Sequence, residues 1–266
     1  FTDWVTGEGW HIGRGPKSAD GTSALIDLQL LWAYQVAADM ENSIGMKQYA
    51  VDYNQRAAVL KTTIRKKYWD ANRGLFADRK EKDVFSQHAN TLAILTNVAE
   101  KSEAPAIVQK ILTDSTLAPA SIYFKYYVHQ ALVKAGLGNN YVGWLDKWRE
   151  NIKMGMTTWG ETSQVDTTRS DCHAWGASPN IEFFRTVLGI DTDAPGFAKV
   201  KIEPHLGSLK AISGTMPHPK GNISVDYIYR KKKWYVKVVL PFEITGAFIW
   251  KSKTYPLASG NNQLEL

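Results

Sequence analysis

Apolar positions recur every three to four residues over most of the first 190 residues, and every second residue after that. From Ser23, the positions Leu25, Leu28, Trp32 and Val36 predict a helix that the segment 42–45 ends. Tyr49, Tyr53, Ala57, Leu60, Ile64 and Tyr68 predict a second, longer one. WDANRG then reads as a turn, with Gly74 in positive φ. Phe85, Ala89, Leu92 and Thr96 mark a third helix, and Ile107 and Ile111 a short fourth. Ile122, Tyr126 and Val133 mark a fifth, stopped by Gly136. Tyr141, Trp144, Trp148 and Ile152 mark a sixth, stopped by Gly155; Ile181, Phe184 and Leu188 mark a seventh, stopped by Gly189. Several carry apolar residues on more than one face, which suits helices sandwiched between neighbours in a layered toroid. No strict repeat supports a solenoid. Residues 1–22 are rich in Gly and Trp without a period and read as loop.

Near Ala194-Pro195-Gly196 the pattern changes. KVKIEP, GNISVDYIYR, KWYVKVVL and AFIWKS alternate apolar and polar residues and predict strands, with KKK at a turn. A β-module over roughly 197–266 is small for a domain by itself and is expected to pack against the helices.

Composition narrows the classes. Hydrophobic residues are 44% and charged residues 22%, an ordinary globular balance. No apolar run reaches a membrane span, so no membrane insertion is expected. The net charge of +6 is scattered, and its densest run is Arg230 with Lys231–Lys233. Without a wider basic stripe, that run reads as solvated lysines on a hairpin rather than as an anion site, and no nucleic-acid partner is expected. Cys172 is the single cysteine, which excludes an internal disulfide and a Cys-based zinc site. A Cys172–His173 dyad is disfavoured, because adjacent side chains seldom point the same way. Carboxylates are scattered without the clusters that metal sites need, so no catalytic metal is expected. Phe1 is not an initiator Met and FTDWVTGEGW reads like the interior of a domain, so the chain is expected to be a piece of a longer one.

Chemistry concentrates in MGMTTWGETSQVDTTRSDCHAWGA, residues 154–177. A sugar site needs an indole to stack on a pyranose, a carboxylate to activate water, and a His to bind hydroxyls. Glu161 is a candidate base, or a capping or salt-bridging carboxylate. His173 is a candidate sugar ligand, or a buried His bonded to backbone. Trp159 and Trp175 are stacking platforms or core; ten Trp in 266 residues favours a sugar cleft. Asp166 and Asp171 are candidates for a second carboxylate, if one stands about 6.5–9.5 Å from Glu161. Gln87 and His88 open the third helix, where a capping or solvated role competes with a place facing a cleft.

Several motifs resemble the bacterial α-L-rhamnosidases of glycoside hydrolase family 78. An F-x-D-W element stands at Phe1-Thr2-Asp3-Trp4. TTWGE, ending in Glu161, is similar to the family's TT-x-WE run, with Gly160 inserted between Trp and Glu. RSDCHAW, 169–175, resembles its downstream His-aromatic element. LGI at 188–190, then GF, KVKIEP and GTMPHPKG, resemble the passage into its C-terminal β-domain.

The resemblance implies a mainly α chain with a β-module. Residues 1–196 would be the C-terminal part of an (α/α)6 toroid of helical hairpins, and 197–266 a small antiparallel β-sandwich. Roughly seven helices are read here, against twelve in a complete toroid. It also implies an inverting glycosidase acting on terminal α-L-rhamnosides, with no cofactor. Its partner would be a rhamnose-containing oligosaccharide, polysaccharide or glycoside, and its location periplasmic or extracellular. Glu161 would be the catalytic base and His173 a sugar contact, with Asp3, Trp4 and Trp10 on a cleft wall. The family's general acid lies upstream of F-x-D-W, so it is expected outside these residues. The rivals are a toroid glycosidase of other sugar specificity and a non-catalytic carbohydrate-binding or structural fragment.

Overall fold

A computed structural model describes residues 1–162 and 168–266, in which the chain divides into two compact units. The first comprises residues 1–136 and 158–176. Helices α1 (Ala24–Ile44) and α2 (Lys47–Tyr68) form an antiparallel hairpin. The Tyr68 hydroxyl donates to Asp27 at 2.6 Å, tying the end of α2 to the first turn of α1. WDANRG turns as expected, with Gly74 at φ 57°. It also closes a two-residue ladder, β1 (Trp69–Asp70) with β2 (Leu75–Phe76), where the helical pattern predicted no strand. The ladder forms because Asp70 accepts from the Asn72 and Arg73 amides and folds the chain back.

Helix α3 (Gln87–Leu95) is capped by the Ser86 hydroxyl, which accepts from the Ala89 amide. Buried Asn90 bonds both the amide and the carbonyl of Phe76, fastening β2 to α3. Helices α4 (Ala104–Thr113) and α5 (Lys125–Leu132) follow, and Gly136 at φ 90° ends α5 through a wide turn.

The second unit holds residues 137–157 and 177–266. It contains α6 (Asp146–Lys153), α7 (Ser178–Glu182) and all the remaining strands. These are β3 (Ile190–Thr192), β4 (Lys199–Ile202), β5 (Ala211–His218), β6 (Gly221–Arg230), β7 (Lys233–Leu240), β8 (Thr245–Trp250), β9 (Lys253–Leu257) and β10 (Gly260–Glu265). They form two four-stranded sheets, β10-β7-β6-β5 and β3-β4-β8-β9. Ile223, Val225, Tyr227, Val236 and Val238 from one sheet share a core with Val200, Ile202, Phe248 and Leu257 from the other. This is a sandwich with the expected inward alternation. One pair, β4 with β8, is parallel, because the whole β5–β7 meander intervenes between them. Lys231 and Lys232 both take positive φ, as a two-residue type I′ hairpin turn requires.

The units cut the chain elsewhere than at 196, where the period changes. The cause is a set of hydrogen bonds that fasten the segment before 196 to the sheets. Leu188 O accepts from the Tyr227 hydroxyl at 2.7 Å, Gly189 O from the Glu203 amide, and Thr186 O from the His205 amide. Gly189 sits at φ +81°, and an added Cβ would meet backbone atoms of Glu203 and Pro204 at 2.3–2.4 Å. Gly189→Ala is therefore expected to destabilise the second unit by on the order of 2–3 kcal/mol. A urea titration checks it, and an unchanged midpoint would contradict it.

Candidate functional site

The loop after α6 doubles back on itself. The Glu161 amide donates to Ser170 O at 2.8 Å and the His173 amide to Trp159 O at 2.7 Å. The Thr158 hydroxyl bonds Asp171 O. Gly176 passes so close that a Cβ there would stand 2.9 Å from Gly160 O and from Trp159 Cβ. Gly176 therefore permits an approach that a side chain would block. The Trp175 indole N–H donates to Glu161 O at 2.7 Å, so Glu161 is pinned through both its amide and its carbonyl.

The Glu161 side chain is only 6% exposed, while its partner Arg169 is 81% exposed. The pairing is bidentate: Arg169 Nε lies 3.1 Å from Oε2, and Nη2 bonds Oε1. The Arg169 guanidinium holds the Glu161 carboxyl below the usual Glu range, with a smaller contribution from His173. Glu161 is therefore an ionised acceptor at neutral pH, and both its oxygens are engaged.

Aromatic rings extend away from it. His173 packs against Trp175 with tilted rings at 4.3 Å, and Trp175 meets Tyr123 at 5.2 Å. Tyr123 meets Phe1 at 6.2 Å, and Phe1 meets Trp4 at 5.2 Å. Burial, then the hydrogen bond with Tyr127, pushes the Tyr123 hydroxyl upward, so it stays a donor. Beside this row lies a cavity of about 390 Å³, whose walls include Phe1, Thr2, Gln29, Trp32, Tyr123 and Tyr127. Its size and aromatic walls suit a small ligand.

The predicted site residues divide into groups. Glu161, Trp159, His173 and Trp175 come together through the loop's own hydrogen bonds, and Trp4, 47% exposed, continues the aromatic row. Asp3 is placed inside the unit rather than on a cleft wall. It is fully buried, and its carboxylate accepts from the Ser121 amide (2.9 Å) and hydroxyl (2.5 Å) and bonds His88 Nε2 at 2.7 Å. Burial lowers the affinity of His88 for a second proton, so the ring is neutral and its Nε2–H donates to Asp3. Trp10 is 9% exposed and packs on the His88 ring at 4.6 Å, which also makes it part of the interior. A carboxylate and an indole this deep serve the packing, because the chain's first residues fold in against α3.

Gln87 bonds Ile111 O and the Ala120 amide. Asp171 and Cys172 are exposed, and Asp166 lies outside the described residues. Arg169 and Tyr123 were not singled out as site residues by sequence reasoning. The position of Arg169 eight residues after Glu161 was the available signal; nothing local marks Tyr123.

Comparison with known proteins bears on the fold that carries this loop. Residues 189–264 match the model of the bacterial alpha-L-rhamnosidase C-terminal domain. The chain resembles the C-terminal part of the α-L-rhamnosidases. It is 24% identical to an alpha-L-rhamnosidase of Alteromonas sp. (strain LOR), over 94% of this chain and 29% of that protein. Among solved structures, a family 78 rhamnosidase of Bacillus sp. GL1 superposes with TM-score 0.79 at 22% identity, covering 93% of this chain and 27% of that one. The Streptomyces avermitilis alpha-L-rhamnosidase complexed with L-rhamnose gives 0.78 at 15% identity, covering 100% and 28%. The chain thus spans less than a third of these rhamnosidases. The likeness shows the fold: helical hairpins of a partial toroid followed by a β-sandwich. No helix among the described residues is long and apolar enough to cross a membrane.

Proposed function

We propose that this chain is part of an inverting glycosidase that hydrolyses terminal α-L-rhamnosides, with Glu161 as the catalytic base. The observation that carries the reading is a nearly buried, ionised carboxylate held beside Trp159, His173 and Trp175, in a chain similar to α-L-rhamnosidases. The aromatic row would receive the apolar face of the sugar, and Glu161 would take a proton from the attacking water. Both Glu161 oxygens face Arg169, so Arg169 must release one of them when water is activated. Its high exposure leaves it room to swing away.

The general acid is proposed to lie outside these 266 residues. Asp3 is a poor substitute, since both its oxygens are already hydrogen-bonded inside the unit. A periplasmic or extracellular location is proposed with the same reading, since polymeric glycosides are met there. The test is hydrolysis of a rhamnoside by this chain and by a longer polypeptide that includes it. NMR would follow the first anomer released. The longer form should release β-L-rhamnose, and the chain alone should be slower by about 10²–10⁴-fold on poor leaving groups. Equal rates would refute the missing acid, and initial release of the α-anomer would refute inversion.

The bidentate Arg169 pair also favours a second reading, in which Glu161 is structural and the chain binds sugar without turnover. Rhamnose binding by a longer form that shows no hydrolysis would select it.

A further inference from the structure

The outer face of the sheet β10-β7-β6-β5 has no part in the site above. With Ile223, Val225 and Tyr227 turned into the core, Asp226, Ile228 and Arg230 of β6 stand on the opposite face. On β7, Tyr235 and Lys237 stand outward by the same alternation, since Val236 and Val238 face inward. Register places Ile228 opposite Tyr235 and Asp226 opposite Lys237 on one side; β10 sets Glu265 beside Tyr235 and Gln263 beside Lys237 on the other. These residues line a groove of about 490 Å³.

The charges of this groove are unevenly satisfied. Lys233 pairs with Glu265. Arg230 and Lys237 form no ion pair among the described residues, although Asp226 sits opposite Lys237 in register. The Arg230 guanidinium instead lies over the Tyr235 ring, 4.2 Å from its centroid. That stacking holds the guanidinium plane in place and leaves its N–H edge free to grip a carboxylate in fork geometry. Lys231 and Lys232, exposed at the hairpin turn beside Arg230, raise the local positive potential. The lysine run, read from sequence as solvated, therefore adjoins a groove with an arginine already oriented.

We propose that this sheet face binds an acidic polysaccharide. Arg230 takes a uronate carboxylate, Lys237 and Gln263 donate to ring hydroxyls, and Asp226 accepts from them. Mixed charge selects this occupant over nucleic acid. A duplex carries one phosphate charge per roughly 1.7 Å and would meet Asp226 with repulsion. A glycan carries sparser carboxylates, and its hydroxyls satisfy that acid. The inference stands apart from the glycosidase reading, because it uses no residue of the Glu161 loop.

The experiment is calorimetric titration of the 266-residue chain with polygalacturonate at low salt, compared with dextran and a single-stranded oligonucleotide. Polygalacturonate should bind, dextran should not, and the oligonucleotide should bind at least about tenfold more weakly. Arg230→Ala should weaken polygalacturonate binding by about tenfold or more. Arg230→Lys, which keeps the charge and is safe for folding, should recover only part of it. Removing Lys231 and Lys232 together should cost less than Arg230→Ala. Wild-type affinity in folded Arg230→Ala, equal binding of dextran, or an oligonucleotide as tight as polygalacturonate would overturn the proposal.

Discussion

Turnover by Glu161→Gln, made in an active polypeptide that contains this chain, is expected to fall by about 10²–10⁴-fold while sugar affinity changes little. The amide keeps the shape of the side chain and still bonds hydroxyls, but takes no proton from water. The backbone of residue 161 stays pinned by Ser170 O and the Trp175 indole, so the substitution removes chemistry and leaves geometry. Azide added to the variant should act as the nucleophile in place of water and restore turnover, giving the β-glycosyl azide. A purely structural Glu161 makes a different forecast: a lower melting temperature, with turnover per folded molecule preserved. Near-wild-type turnover by the folded variant would end the assignment, and with it the chemical support for the glycosidase reading.

The second large effect concerns stability. Asp78 is completely buried, and one carboxyl oxygen accepts from the Ser86 hydroxyl at 2.7 Å. The other, Oδ2, has no hydrogen-bond partner among the described residues. Burial is the leading cause that raises the Asp78 carboxyl from 3.8 to about 7, against smaller opposing contributions from Ser86 and Arg79. The sign follows from proton binding. Between about pH 4 and pH 7 the folded chain holds this proton and the unfolded chain releases it, so stability falls as pH rises through that window. Below the window both states are protonated, and above it both are ionised, so the contribution is flat. At about 1.4 kcal/mol per pH unit, the loss is on the order of 4 kcal/mol. Asp78→Asn removes the titration. Urea unfolding of the variant should lack this decline and exceed the wild type at pH 8 by a comparable amount. Parallel pH profiles for the two proteins would show that Asp78 ionises without penalty in the fold.

Local rules carried the long helices and the main strands, while Tyr141 and Trp144, read with the sixth helix, lie in a 3-10 turn before α6. The apolar spacing of Leu25, Leu28 and Trp32, and of Ala57, Leu60 and Ile64, lies within α1 and α2. The stops at Gly136, Gly155 and Gly189 all take positive φ, the conformation for which a helix-ending glycine is suited. Strands β4, β6 and β7 could be read because their more and less buried residues alternate, whereas β8 fully buries only Phe248. Strand β5 is half-exposed along its length, and β10, GNNQLE, has few strand-forming side chains. Their signal is weak because β5 and β10 are the edges of their sheet, where a partner covers one side only.

The candidate site was legible as a place before it was legible as an arrangement. Trp159, Glu161, His173 and Trp175 are close in sequence, and short-range hydrogen bonds bring them together. The ring of Tyr123 reaches Trp175 only through the fold, and Asp3 meets Ser121 across 118 positions. Asp3 illustrates the limit most clearly. Its motif suggests a ligand, whereas its burial follows from where the chain returns.

By itself, the sequence determined the repeating elements, the change from helix to strand, and the loop that concentrates aromatic and ionisable side chains. All of these depend on residues a few positions apart, whose periodicity and turn chemistry are local. Only the tertiary structure decided which cation holds Glu161, which carboxylate is buried without a full set of partners, and which strands pair in parallel. It also decided that residues before 196 join the β-sandwich unit. Burial and charge pairing are properties of neighbours in space, and those neighbours come from segments far apart in the chain.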